Sequence, residues 1–161
     1  MKSLKWILPL LALTIALGGC PYGSKQFIDN PTVAVDAKLL GKWETTKGTA
    51  KTFTVTKIDA YTYSIASKTT QTGETTEYKA FESNVEGDRF LNIKENNSQD
   101  GKYYFYRIKL GADYSKIILQ PVTENIDEVF NTPEELKAYI AKNKSLSFFF
   151  DRNEEVYIKV N

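Results

Sequence analysis

The sequence has no histidine and one cysteine, Cys20, in 161 residues. Without histidine the chain lacks the side chain whose charge changes near neutral pH, and with it the commonest nitrogen ligand for metals. Serine–histidine–aspartate and cysteine–histidine catalysis, cysteine-rich zinc sites and intramolecular disulfides are all excluded by composition. Neither sign of charge is in excess: 21 Lys and Arg stand against 20 Asp and Glu, a net charge of +1. The basic footprint of a nucleic-acid binder is missing, so no nucleic-acid partner is expected. No apolar run reaches the roughly 20 residues that a membrane-crossing helix needs. The longest, Trp6 to Leu17, is shorter and is interrupted by Pro9 and Thr14. No phosphate-cradling glycine loop occurs, because Gly41-Lys42 is followed by Trp43 and lacks the upstream glycine.

Hydrophobic residues make up 42% of the chain and aromatics 13%, enough for one domain with a core of its own. No cofactor, disulfide or metal is needed to hold such a domain together. The acidic pairs Asp127-Glu128, Glu134-Glu135 and Glu154-Glu155 are poor catalytic candidates, since neighbours in a strand point to opposite faces. Asn96 to Gly101 places oxygens and a glycine like the start of a calcium loop. Its twelfth position is Arg107 where a bidentate Glu is required, so a hairpin turn is expected there. Asn96-x-Ser98 and Asn143-x-Ser145 match the glycosylation triplet and are read as coincidence. No enzyme activity is expected.

The N-terminus carries the most specific pattern. Lys2 and Lys5 precede the apolar run, Gly18 and Gly19 end it, and Cys20 follows at once. Positive residues, a short apolar stretch and small residues are the order of an export signal. Leu17-Gly18-Gly19-Cys20 resembles the lipobox of bacterial lipoproteins. The resemblance implies a signal peptide over residues 1–19, cleavage before Cys20, and acylation of Cys20 with fatty chains such as palmitate. Those chains would tether the protein to a membrane, the partner that the resemblance implies. Loss of Lys2 and Lys5 would leave 19 basic against 20 acidic residues, a mature charge of −1. Pro21, in place of the Asp that favours inner-membrane retention, resembles the outer-membrane pattern. Export to the cell surface goes in some groups with an acidic run after the cysteine, and none is present. The expected location is the envelope, on the outer membrane facing the periplasm.

Residues 20–36 contain Pro21, Gly23 and Pro31 with no sustained period, and read as a tether. The competing expectation is that Phe27 and Ile28 pack onto the domain. Residues 37–161 read as one mainly β domain. Runs at 39–46, 51–58, 75–85, 89–95, 102–110, 116–122, 146–150 and 154–160 are rich in β-branched and aromatic residues, as is the stretch through Tyr61, Tyr63 and Ile65. Phe53 and Val55 alternate with threonines, and Val156, Ile158 and Val160 alternate near the end. Gly87-Asp88, Asp100-Gly101 and Gly111-Ala112-Asp113 mark turns, so neighbours are expected to be antiparallel. Thr132-Pro133-Glu134-Glu135 predicts a helix start with an N-cap, Pro in the first position and Glu in the third. Leu136, Tyr139 and Ile140 then form one apolar stripe, expected to pack on the sheet or plug one end of a barrel.

These features predict an antiparallel meander that closes into a small barrel or a strongly curled sheet, with one α-helix near the C-terminus. Gly41-Lys42-Trp43 resembles the Gly-x-Trp signature of lipocalins. That resemblance implies that Trp43 closes the bottom of a barrel with an arginine across it, for which Arg89, Arg107 and Arg152 are the candidates. In the strand 102–110, Tyr104, Tyr106, Ile108 and Leu110 share one face, and Tyr103, Phe105, Arg107 and Lys109 the other. Tyr104, Tyr106, Ile108 and Trp43 are the candidate ligand-lining residues, with plain core packing as the competing reading. The expected role is a noncatalytic envelope module binding an apolar small molecule or an envelope partner. The alternative is a protein–protein inhibitor or assembly factor with a filled core.

Overall fold

Alternation along each strand gives it two faces, and closure of the sheet separates those faces into an inside and an outside. The computed structural model describes residues 21–160. The expected signal, residues 1–19, and the expected acylation site, Cys20, lie outside the described residues. Strands run over Gly23–Ser24 (β1), Gly41–Thr45 (β2), Lys51–Lys57 (β3), Thr62–Thr69 (β4), Thr75–Val85 (β5), Asp88–Glu95 (β6), Tyr103–Leu110 (β7), Lys116–Pro121 (β8) and Glu155–Val160 (β9). A 3-10 turn, Ala37–Leu39, precedes β2, and the helix α1, Pro133–Asn143, lies between β8 and β9.

Strands β2 to β8 form an antiparallel meander in which each pairs with the next. β9 returns to pair with both β8 and β2, which closes an eight-stranded barrel. The two-residue β1 adds to the start of β7, past the end of β8. Sharp turns follow from local chemistry. Glu86 and Gly87 both have positive φ, 48° and 86°, between the paired residues Val85 and Asp88. That is the two-residue hairpin whose twist suits flanking strands. Gly41 has φ 118°, a conformation that side chains disfavour, and this bend starts β2.

The inside of the barrel gathers Leu39, Trp43, Tyr63, Ala80, Leu91, Ile108, Ile117 and Tyr157. A second core lies outside the barrel wall. Val85, Phe90 and Phe105 point outward from β5, β6 and β7 and are covered by Leu136 and Ile140 of α1 and by Tyr22, Ile28, Phe149 and Phe150. The apolar stripe read from the sequence of α1 is thus buried against the barrel's flank, not in its end. Thr132 accepts the Glu135 N–H at 3.2 Å, as the N-cap pattern requires. Lys144, just past the helix, donates to the Val85 and Glu86 carbonyls and to Asp88, tying the helix end to the β5–β6 turn.

Two expectations change. Residues 21–36, read as a tether, lie against the barrel. Ile28 is fully buried and Tyr22 nearly so, and the Phe27 ring packs edge-on against Phe81 and Tyr103. The buried Asn92 side chain holds this strap by accepting the Ile28 N–H at 2.8 Å. The run 146–150, read as a strand, contributes only one bridge, Phe150 to Val122. Its apolar residues serve a different purpose: Phe149 and Phe150 are buried between α1 and the barrel wall.

Candidate functional site

The barrel is closed at one end and open at the other. At the closed end Trp43 is 2% exposed and its indole N–H donates to the Leu39 carbonyl at 2.9 Å. Beside this plug lies a buried polar chain. The Tyr63 hydroxyl donates to Glu82 Oε1 at 2.6 Å and accepts the Asp36 N–H at 2.7 Å. Arg89 Nε donates to Glu82 Oε2 at 2.7 Å, and its Nη2 reaches Asp36 at 3.3 Å. Burial, and then the bond to Glu82, push the Tyr63 hydroxyl far above its ordinary value. Its charged partners hold the Arg89 guanidinium above its ordinary value, although burial opposes them. The cation placed over the Trp43 ring is Lys159 at 5.3 Å, where the lipocalin resemblance implied an arginine. Of the three candidates, Arg89 serves the Glu82 network, Arg107 lies over Phe150 and bonds Gln120, and Arg152 is exposed at the cavity.

Above the plug the lumen is hollow. A cavity of about 1070 Å³ runs from Trp43 to the open rim at Lys47, Gly48 and Thr49 and continues past the rim to Arg107, Gln120 and Phe150. Its wall is mostly apolar, with Phe53, Val55, Ile65, Leu91, Ile93, Ile108, Ile117 and Leu119 pointing inward. The size suits a drug-sized or fatty ligand. The wall also carries a polar collar. Tyr78, Tyr106 and Tyr157 line the cavity together with Glu155. The Tyr157 hydroxyl donates to Glu155, two residues earlier on the same inward face of β9. Burial first, and then Glu155, push the Tyr157 and Tyr106 hydroxyls well above their ordinary values. Tyr78 shifts in the same direction through burial, then Glu95 and Glu155. Glu155 makes no ion pair among the described residues. An apolar sleeve ending in hydroxyls and a carboxylate fits a molecule with an apolar body and a hydrogen-bonding end.

Three of the four ligand-lining candidates, Trp43, Tyr106 and Ile108, meet in this cavity. Tyr104 does not join them. Its strand register matches theirs, but its hydroxyl turns to Asp100 at 3.0 Å, and its backbone pairs with Gly23 of β1. The two faces of β7 are both used: Tyr106 and Ile108 point into the lumen, and Phe105 lies fully buried in the outer core. Glu155 and Tyr157 were missed. The alternation of Val156, Ile158 and Val160 marks the opposite face, and Ile158 is 50% exposed on the outside of the barrel. The polar face of β9, Glu155 and Tyr157, is the inner one. No group of three or more acidic or thiol side chains that could hold a metal occurs among the described residues.

Comparison of the chain with protein-family models, with curated proteins and with solved structures returns no match. The fold and cavity therefore define the class by themselves: a hollow, closed, eight-stranded antiparallel barrel with one flanking helix.

Proposed function

We propose that the protein is a lipid-anchored envelope lipoprotein whose barrel, lipocalin-like in form, carries an apolar small molecule with a hydrogen-bonding end. The observation that carries this reading is the cavity of about 1070 Å³ that enters the lumen from the open end, with an apolar inner wall and the Tyr106, Tyr157 and Glu155 collar. A module that works only through a filled core would have no use for such a space. The absence of histidine and of a free thiol beyond Cys20 supports a noncatalytic role. Attachment rests on the lipobox pattern, Leu17-Gly18-Gly19-Cys20. Two or more acyl chains on Cys20 would make the attachment stable, since each buried CH₂ contributes about 0.8 kcal/mol. Pro21 after the cysteine supports the outer membrane, facing the periplasm.

The test is native mass spectrometry of the protein extracted from envelopes in mild detergent. An added mass, lost on denaturation and identified as a small amphiphile, is the expected result. An empty spectrum, together with no response from a panel of lipids and apolar dyes, removes the cavity reading. In that case stoichiometric recovery of one envelope protein would favour the partner reading. For the anchor, Cys20→Ala should abolish both signal cleavage of the lipoprotein type and incorporation of fatty acid into the protein.

A further inference from the structure

We infer that the open end of the barrel faces the bilayer and rests on it, so that a ligand passes between membrane and lumen without crossing bulk water. This rests on the reading of Cys20 as acylated. The residues that follow Cys20 are fixed at the mouth of the barrel. Pro21 lines the cavity near its open rim. Tyr22 is 8% exposed, its N–H donates to the Val122 carbonyl at 2.8 Å, and its hydroxyl donates to the Glu128 carbonyl at 3.1 Å. Gly23 and Ser24 then pair with the start of β7. No slack remains between the anchor position and the rim. One peptide link, a Cα spacing of about 3.8 Å, joins Cys20 to Pro21. Acyl chains at residue 20 would therefore enter the bilayer beside the mouth of the cavity.

The second observation is independent of the anchor. Val129 and Phe148 are 86% and 63% exposed. Val129 adjoins Glu128, whose carbonyl accepts the Tyr22 hydroxyl, and Phe148 adjoins Ser147, which lines the cavity. Phe150 also lines the cavity, and the Phe130 ring meets Tyr22 edge-on at 6.4 Å. Exposed large apolar side chains beside an acyl anchor suit the headgroup–acyl boundary. Ile58 and Tyr61 are also exposed, at the closed end, but no anchor lies beside them. A barrel seated this way presents its turns at 58–61, 86–87 and 111–115 to the aqueous side.

The experiment uses the full, processed protein in vesicles of phosphatidylethanolamine and phosphatidylglycerol. Single cysteines are introduced as Lys47→Cys and Phe148→Cys at the rim, and as Ala112→Cys in the β7–β8 turn at the closed end. Each is labelled with a bimane fluorophore, which an acylated Cys20 cannot take up. Vesicles whose lipids carry brominated acyl chains should quench both rim labels several-fold more than the Ala112→Cys label. Equal quenching, or stronger quenching at Ala112→Cys, overturns the orientation. Intact mass separates the two readings. An acylated protein with the wrong quenching pattern overturns the orientation alone. A protein without acyl mass overturns the anchor and the orientation together.

Discussion

The Tyr63 hydroxyl donates to Glu82, which is 1% exposed, while accepting the backbone N–H of Asp36. One side chain on β4 therefore joins a buried carboxylate on β5 to the strap that crosses the closed end. Arg89 on β6 completes the link by meeting both Glu82 and Asp36. Removing the cation strands a buried charge, which is more damaging than losing a surface pair. Arg89→Met should lower stability by about 3 kcal/mol or more. Tyr63→Phe removes two hydrogen bonds and should cost about 1–3 kcal/mol. Urea denaturation of both variants checks this; an Arg89→Met midpoint equal to the parent's would show that Glu82 is not held as described.

The same tyrosines set the behaviour in alkali. In the fold, Tyr63, Tyr106 and Tyr157 hold their protons above the ordinary value of 10. In the unfolded chain they release them near pH 10. Above that point the unfolded state binds fewer protons than the folded state, so stability falls as pH rises. Below it both states are protonated and no loss occurs. Each such tyrosine contributes a slope of about 1.4 kcal/mol per pH unit. Denaturation series on either side of pH 10 should show a stable plateau and then a steep decline. Replacing Tyr63 by Phe should make that decline shallower.

Asn92 should prove a structural pin, not a site residue. Its side chain is fully buried on the outer wall, accepts the Ile28 N–H, and donates to Ser83 Oγ at 2.9 Å and the Phe81 carbonyl at 3.3 Å. Asn92→Ala leaves Ile28 N–H without that acceptor and should cost about 1–3 kcal/mol. Limited proteolysis should then cut near Lys25 well before the barrel opens. Uniform cleavage along the chain would show that strap and barrel unfold as one unit.

Filling the lumen should separate binding from folding. Ile65 lines the cavity from β4 and is only partly buried. Ile65→Trp adds volume where space exists, so the fold should survive. Affinity for an apolar environment-sensitive dye should fall at least about tenfold, equivalent to about 1.4 kcal/mol. Undiminished dye binding by a folded Ile65→Trp protein would place the dye outside the barrel.

Much of the fold is legible in the residues. β-branched and aromatic alternation predicts most of the strands, and Gly87-Asp88 marks the β5–β6 turn, which the structure centres one residue earlier, on Glu86 and Gly87. Thr132-Pro133-Glu134-Glu135 places the start of α1 where the structure has it. The run 146–150 misleads because a short apolar stretch gives no sign of whether it pairs or merely fills a gap. The site is less legible. Trp43, Tyr106 and Ile108 lie at the cavity, yet Tyr104 shares their register and turns away to Asp100.

The sequence by itself determined the elements and the excluded chemistry: antiparallel strands with one capped helix, and no histidine- or thiol-based catalysis outside Cys20. Tertiary structure alone decided which face of each strand is inside. Alternation is symmetric about the strand, and both faces of β5, β6 and β7 are apolar because α1 and the strap bury the outer one. On β9 the choice runs against hydropathy, with Glu155 and Tyr157 inside and Ile158 in solvent. Closure through β9 sets that direction, since its pairing with β2 and β8 fixes the register whatever the side chains prefer.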